Sequence, residues 1–172
     1  GGVGTFAVQI AKAFGAEATG VASTRNLELV RSLGADHVID YTQQDFTQGD
    51  GLYDLVVDNI GNHSFDEVRR VLKPEGRYVI VGGNSKGRWI GALSTPLKAK
   101  MRAPFVSQQV VFMLAELKPI DLVYLAGLMT AGKVTPVVDR TYPLGEVAAA
   151  IEYVETGRAR GKVILSVVPG PG

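Results

Sequence analysis

The chain reads as an α/β protein built on a doubly wound parallel sheet, and three observations carry that expectation. Short apolar stretches alternate with helical ones at intervals of about 10–25 residues, the rhythm of strands joined by crossover helices. The run Leu55-Val56-Val57 is apolar at successive positions, as in a strand covered on both faces of a sheet. Gly1-Gly2-Val3-Gly4 leads straight into a helical stripe, the tight turn by which a parallel strand feeds a helix.

Taken in order, Phe6, Ile10 and Phe14 keep a helical stripe over residues 4–14, with Gly15 where a C-terminal cap belongs. Residues 17–22 predict a strand, 26–33 a helix closed by Gly34, and 38–40 a brief strand. A strand follows at 52–58 and a helix at 65–72, ended by Pro74-Glu75-Gly76. Residues 77–81 form the next strand, stopped by Gly82-Gly83. The rhythm breaks at 84–104, which reads as loop, and 106–114 is strand or helix. A helix at 120–131 closes at Gly132. A strand at 136–142, an amphipathic helix at 144–156 and a strand at 161–167 complete the pattern, and the tail Pro169-Gly170-Pro171-Gly172 frays.

Composition narrows the function classes. With 172 residues the chain buries one sizeable core. A formal charge of +1 gives no bias toward nucleic acid or an anionic membrane. The absence of cysteine excludes disulfides and thiolate metal sites in this chain and fits a reducing compartment, so the cytoplasm is expected. His37 and His63 alone make a poor metal site, and none is expected. No apolar run approaches the roughly 18 residues of a membrane span.

Gly2-x-Gly4-x-x-Ala7 has the spacing of a dinucleotide-binding turn. The first glycine turns the chain, the second lets backbone approach a pyrophosphate, and the small third residue brings helix and sheet together. The N–H groups of Val3 and Gly4, at a helix N-terminus, would face the phosphates. An NAD enzyme usually places an acid about 20 residues later to hold the ribose hydroxyls. Here that place is Ser23-Thr24-Arg25-Asn26, where hydroxyls and a forked guanidinium suit a 2′-phosphate instead. NADP(H) is therefore the expected cofactor. The same segment also reads as a helix cap.

The runs GGVGTFAVQIAKAFGA, LGADHVIDY, VVDNIG, LKPEGRYVIVGG and GKVTPVVDRTYPLGEVAAAIEYVETGRARGKVILSV, in that order, resemble the medium-chain dehydrogenase/reductase superfamily, and most of all its NADPH:quinone oxidoreductase branch. The resemblance implies a Rossmann domain over residues 1–131 that lacks its first strand, and a segment 132–172 belonging to a catalytic domain not present here. A sheet without its central strand needs it from a second copy, from other residues, or by rearrangement. It further implies cofactor contacts at Tyr41 near the adenosine phosphate, Asn59 near adenine and ribose, Gly82 and Gly83 beside the nicotinamide, the Phe105-Val106 backbone, and Lys162 from the returning segment. Tyr41, Asn59 and Lys162 equally suit a strand end, a turn and a solvated surface.

No catalytic acid or base is identified. Neither His37 nor His63 has a partner legible in the sequence. In the resembled branch hydride passes from NADPH to a quinone, enone or related carbonyl without zinc, largely by positioning. A homodimer through the outer edge of the sheet, at 106–114, is expected. The alternatives are a zinc-dependent alcohol dehydrogenase-type member, a non-catalytic nucleotide-binding or oligomerisation module, and an S-adenosylmethionine methyltransferase. The last rests on Val71-Leu72-Lys73-Pro74-Glu75-Gly76-Arg77 and is opposed by the same missing acid.

Overall fold

A computed structural model describes residues 1–81, 107–113, 116 and 118–167. The chain divides into two compact units, Gly1–Thr42 with Lys118–Gly172, and Gln43–Leu117. Among the described residues all strand pairing is parallel, in sheets flanked by helices, so the α/β expectation holds.

In the first unit, helix α1 (Gly4–Ala13) ends at Gly15, whose φ of 76° supplies the left-handed turn. Strand β1 (Thr19–Ala22) pairs with β2 (His37–Asp40), and helix α2 (Leu27–Ser32) crosses between them after a short 3₁₀ turn at Thr24–Asn26. Gly20 allows that crossover to pack closely, since a Cβ there would lie 2.3 Å from Val30 Cγ1. Helix α4 (Pro119–Thr130) has proline in its first turn and stops before Gly132, at φ 68°. Strands β6 (Val138–Pro143) and β7 (Lys162–Ser166) pair around helix α5 (Val147–Glu155).

The buried Gln9 ties the two stretches of this unit together. Its amide nitrogen donates to the Thr5 carbonyl at 2.8 Å and the Thr135 carbonyl at 3.0 Å, and its oxygen accepts from Thr135 N at 2.7 Å. The buried Gln9 amide on α1 is thus fully used.

In the second unit β3 (Tyr53–Asp58), β4 (Leu72–Val81) and β5 (Gln109–Met113) form a sheet in that order. Helix α3 (Phe65–Val68) is only one turn long. Ser64 and Glu67 form a reciprocal cap at its start: Ser64 N donates to Glu67 Oε2 at 2.7 Å and Glu67 N to Ser64 Oγ at 3.3 Å. Phe65 and Val68 meet Leu72, Tyr78 and Ile80 in the core, with Phe46, Val56 and Val110 packed alongside. Each such side chain removed from water contributes about 1.5–3 kcal/mol.

Two expectations are corrected here. The helix predicted over 65–72 gives way at Arg69–Val71 to a 3₁₀ turn, and Leu72 already belongs to a strand. Pro74-Glu75-Gly76 is therefore a turn inside β4 rather than a helix stop. The register jumps there from Tyr53↔Leu72 to Leu55↔Arg77, and Glu75 takes φ 65° after a proline, as in a type II turn. Within the 106–114 segment, Gln109–Met113 forms a strand.

Candidate functional site

The glycine turn opens α1 without a side-chain cap and without an acid in the first turn. Thr5 N donates to Gly1 O at 3.1 Å, and Ala7 N to Val3 O at 3.0 Å. Among the described residues the N–H groups of Val3 and Gly4 have no backbone acceptor, as the first turn of a helix requires. The buried Thr5 hydroxyl beside them also has no partner. A Cβ on Gly4 would meet nothing within 4 Å, so the turn is open on that side. A Cβ on Gly2 would lie 3.5 Å from Lys162 Nζ. The Lys162 ammonium also sits 5.4 Å from the centroid of the Phe6 ring. Lys162, separated from the turn by most of the chain, is thus brought back to it. Unpaired N–H groups, a helix N-terminus and an ammonium make an electropositive corner suited to phosphate oxygens.

Ser23, Thr24 and Arg25 follow β1 in the same unit. Ser23 stands at the cap position of the 3₁₀ turn but makes no side-chain cap bond. Its hydroxyl accepts from Asn26 Nδ2 at 3.2 Å. Thr24 Oγ1 donates to Asp40 Oδ2 at 2.6 Å and lies 3.0 Å from Thr42 Oγ1. Arg25 is exposed and donates to the Arg158 carbonyl at 3.0 Å. Tyr41 is exposed and gives its N–H to Ala22 O at 3.1 Å. No acid lies within 23–26, yet Asp40 reaches Thr24 from the end of β2. The Thr24 hydroxyl, and with it Thr42, holds the Asp40 carboxyl below its ordinary range.

Asn59 lies in the second unit, just past β3. Its Oδ1 is buried without a partner. The preceding Asp58 takes N–H bonds from Ile60 and Gly61, both at 2.8 Å, and accepts the Tyr78 hydroxyl at 2.7 Å. Gly82, Gly83, Phe105 and Val106 lie outside the described residues.

Several residues that complete these turns carry no motif. Asp139 Oδ2 accepts from the Tyr153 hydroxyl at 2.6 Å and from Arg160 N at 2.9 Å, and these bonds hold its carboxyl below the usual range. The Arg140 guanidinium stacks 3.8 Å above the Tyr153 ring. Arg160 Nε donates to Asn26 Oδ1 at 3.0 Å. The signal available in the sequence was the cationic run Arg158, Arg160, Lys162.

Comparison with known proteins places this geometry. The family described as zinc-binding dehydrogenase matches residues 33–165. The chain belongs to the zinc-binding dehydrogenase family. Among family relatives, the mitochondrial NAD(P)H oxidoreductase RTN4IP1 of Mus musculus is 37% identical over 98% of this chain and 46% of its own length. The chloroplastic NADPH-dependent alkenal/one oxidoreductase of Arabidopsis thaliana is also 37% identical, over 98% of this chain and 39% of its own. The solved quinone oxidoreductase of Coxiella burnetii superposes with a TM-score of 0.79 at 30% identity, over 97% of this chain and 50% of that one. The chain spans about half the length of the relatives it matches. These agree with the medium-chain dehydrogenase/reductase resemblance read from the motifs.

The family's name raises zinc. The chain has no cysteine and two histidines. His37 Nε2 lies 2.8 Å from Glu17 and His63 Nε2 3.4 Å from Asp45, each with one carboxylate at ion-pair distance. No group of three metal-ligating side chains occurs among the described residues. The described residues do not fit a zinc ion.

Proposed function

We propose that this chain is the cofactor-binding part of an NADPH-dependent oxidoreductase that passes hydride to a quinone, an enone or a related carbonyl, without zinc. The observation that carries the reading is the meeting, within one unit, of the open glycine turn, Lys162 and the acid-free segment bearing Arg25. The names of the mouse, Arabidopsis and Coxiella relatives support it. The dinucleotide, when bound, supplies the hydride. The chain's residues bind and orient it. Val3 and Gly4 N–H groups and Lys162 take the pyrophosphate, Ser23, Thr24 and Arg25 the 2′-phosphate, Tyr41 the adenosine phosphate, and Asn59 the ribose and adenine. Gly82, Gly83, Phe105 and Val106 complete the proposal at the nicotinamide end. Residues 1–131 form the dinucleotide-binding domain, and 132–172 contribute to the catalytic domain. The protein is a homodimer of the cytoplasm.

Titration of NADPH and NADH against the full-length wild type and Arg25→Glu tests the reading. Wild type binds NADPH more tightly, and the variant loses about 1.5–3 kcal/mol of NADPH affinity alone. Equal affinity of wild type for both cofactors refutes the 2′-phosphate assignment. The family's name favours one second reading, a zinc-dependent alcohol dehydrogenase-type enzyme, and a stoichiometric zinc content in the full-length protein selects it.

A further inference from the structure

We infer that Asp50-Gly51 is a backbone-modification site, where the aspartyl link isomerises through a cyclic imide to isoaspartate. It is the only place in the sequence where aspartate or asparagine directly precedes glycine. The order matters, because the ring closes when the next residue's nitrogen reaches the side-chain carbonyl carbon. A Cβ on that residue hinders the approach, and glycine has none. Other aspartates of the chain are held in place. Lys12 and Ala18 N hold Asp36, Thr47 N holds Asp45, Ile60 N and Gly61 N hold Asp58, and Arg160 N holds Asp139. Asp50 and Gly51 are exposed, and among the described residues neither the Asp50 carboxylate nor the Gly51 N–H has a hydrogen-bond partner.

The two residues form a joint between fixed ends. Before them, Asp45 caps the 3₁₀ turn Phe46–Gln48, accepting from Thr47 N at 2.9 Å, and that turn closes with a long bond from Gly49 N to Phe46 O at 3.4 Å. After them, β3 takes over at Tyr53. With so little to open, the joint reaches the reactive geometry readily. The Gly51 nitrogen then bonds to Asp50 Cγ and one Cγ–O bond breaks, the oxygen leaving as water with the amide proton and one proton from solvent. One water adds back to the imide. At Cγ it restores aspartate. At the main-chain carbonyl it gives isoaspartate, with the chain running through Cβ and the α-carboxylate free. Nothing is oxidised or reduced, and the mass is unchanged. The longer backbone lies just before Tyr53, whose pairing with Leu72 precedes the register jump to Leu55↔Arg77. The freed carboxylate is a group that an S-adenosylmethionine-dependent carboxyl methyltransferase esterifies, and that is the class of partner this site fits.

The experiment ages full-length wild type, full-length Gly51→Ala and free peptides of residues 45–54 with and without that substitution, all at neutral pH and physiological temperature. Isoaspartate is read by electron-transfer fragmentation of the proteolytic peptide and by methyl transfer from labelled S-adenosylmethionine with a carboxyl methyltransferase. Alanine fits at 51, where a Cβ would lie 3.6 Å from the Tyr53 hydroxyl and the backbone is outside the left-handed region. Isoaspartate accumulates at residue 50 of wild type without a change in mass, at a rate within about threefold of the free peptide, because a loose joint costs almost nothing to open. Gly51→Ala slows protein and peptide severalfold alike, so the comparison stands apart from any effect on folding. Wild type that forms no isoaspartate at residue 50, or forms it far more slowly than the free peptide, overturns the inference. Equal accumulation in wild type and Gly51→Ala overturns it as well.

Discussion

Gly161→Ala tests how the Lys162 strand is held. A Cβ at Gly161 would lie 2.3 Å from the Val137 carbonyl oxygen, 2.9 Å from Val137 Cγ1 and 3.0 Å from Val137 C. The nearest atom is backbone, and it is the acceptor of the 2.7 Å bond from Lys162 N. The methyl cannot fit unless β7 moves away from β6 at that point. Forcing an extra group into a packed site costs about 1–3 kcal/mol, and weakening the backbone bond adds about 1 kcal/mol. The expected loss is about 2–4 kcal/mol, against a total of about 5–15 kcal/mol for a protein domain. Gly127→Ala is the matched control. It lies inside α4, where a Cβ meets nothing within 4 Å, so the same chemical change should stabilise by about 0.5–1 kcal/mol. Urea unfolding of both variants reads the two signs as shifts in midpoint at constant slope. A Gly161→Ala protein within about 0.5 kcal/mol of wild type refutes the reasoning.

Two further outcomes are expected. Burial, and then the hydrogen bond to Asp58, push the Tyr78 hydroxyl far above its ordinary value. In the unfolded chain it ionises near pH 10, so its contribution is fully present below about pH 10 and is lost as pH rises further. Tyr78→Phe should cost about 1–2 kcal/mol at neutral pH and flatten the decline above pH 10 in alkaline denaturation curves; a decline of unchanged steepness counts against it. On β5, half-exposed Val111 lies along an edge with no strand partner among the described residues. Light scattering should show a dimer for wild type and a monomer for Val111→Lys. A wild-type monomer at micromolar concentration, unchanged by the substitution, removes the edge from consideration.

Most element types were legible because their signals are local. Gly15, Gly34 and Gly132 end helices in the left-handed region, as their placement after apolar stripes predicts. The 65–72 helix was overdrawn because Leu72 is apolar in either conformation, and only pairing with Tyr53 makes it strand. The glycine turn, Arg25 and Lys162 could be picked out by spacing and by resemblance. Asp40 on Thr24, Asp139 with Tyr153, and Gln9 on Thr135 could not, because each bond joins residues whose separation in sequence carries no period. Gln9 still left a trace, as the single amide within an otherwise apolar stretch of α1.

The bonds from Gln9 to Thr135 have a consequence for the order in which the chain is made. The unit they close is built from Gly1–Thr42 and Lys118–Gly172, with residues 43–117 forming a unit of their own in between. During synthesis the first segment leaves the ribosome without its partner. At about 5–20 residues per second the roughly 130 remaining residues take on the order of ten seconds to follow. For that interval the glycine turn, β1 and β2 wait without the 118–172 stretch, and the Gln9 amide lacks its Thr135 partner. Residues 43–117 have no such delay, since their core is contiguous and can consolidate as it emerges. Closing the first unit then requires an excursion of about 75 residues to be looped out, which makes it the slow, high-contact-order step of folding.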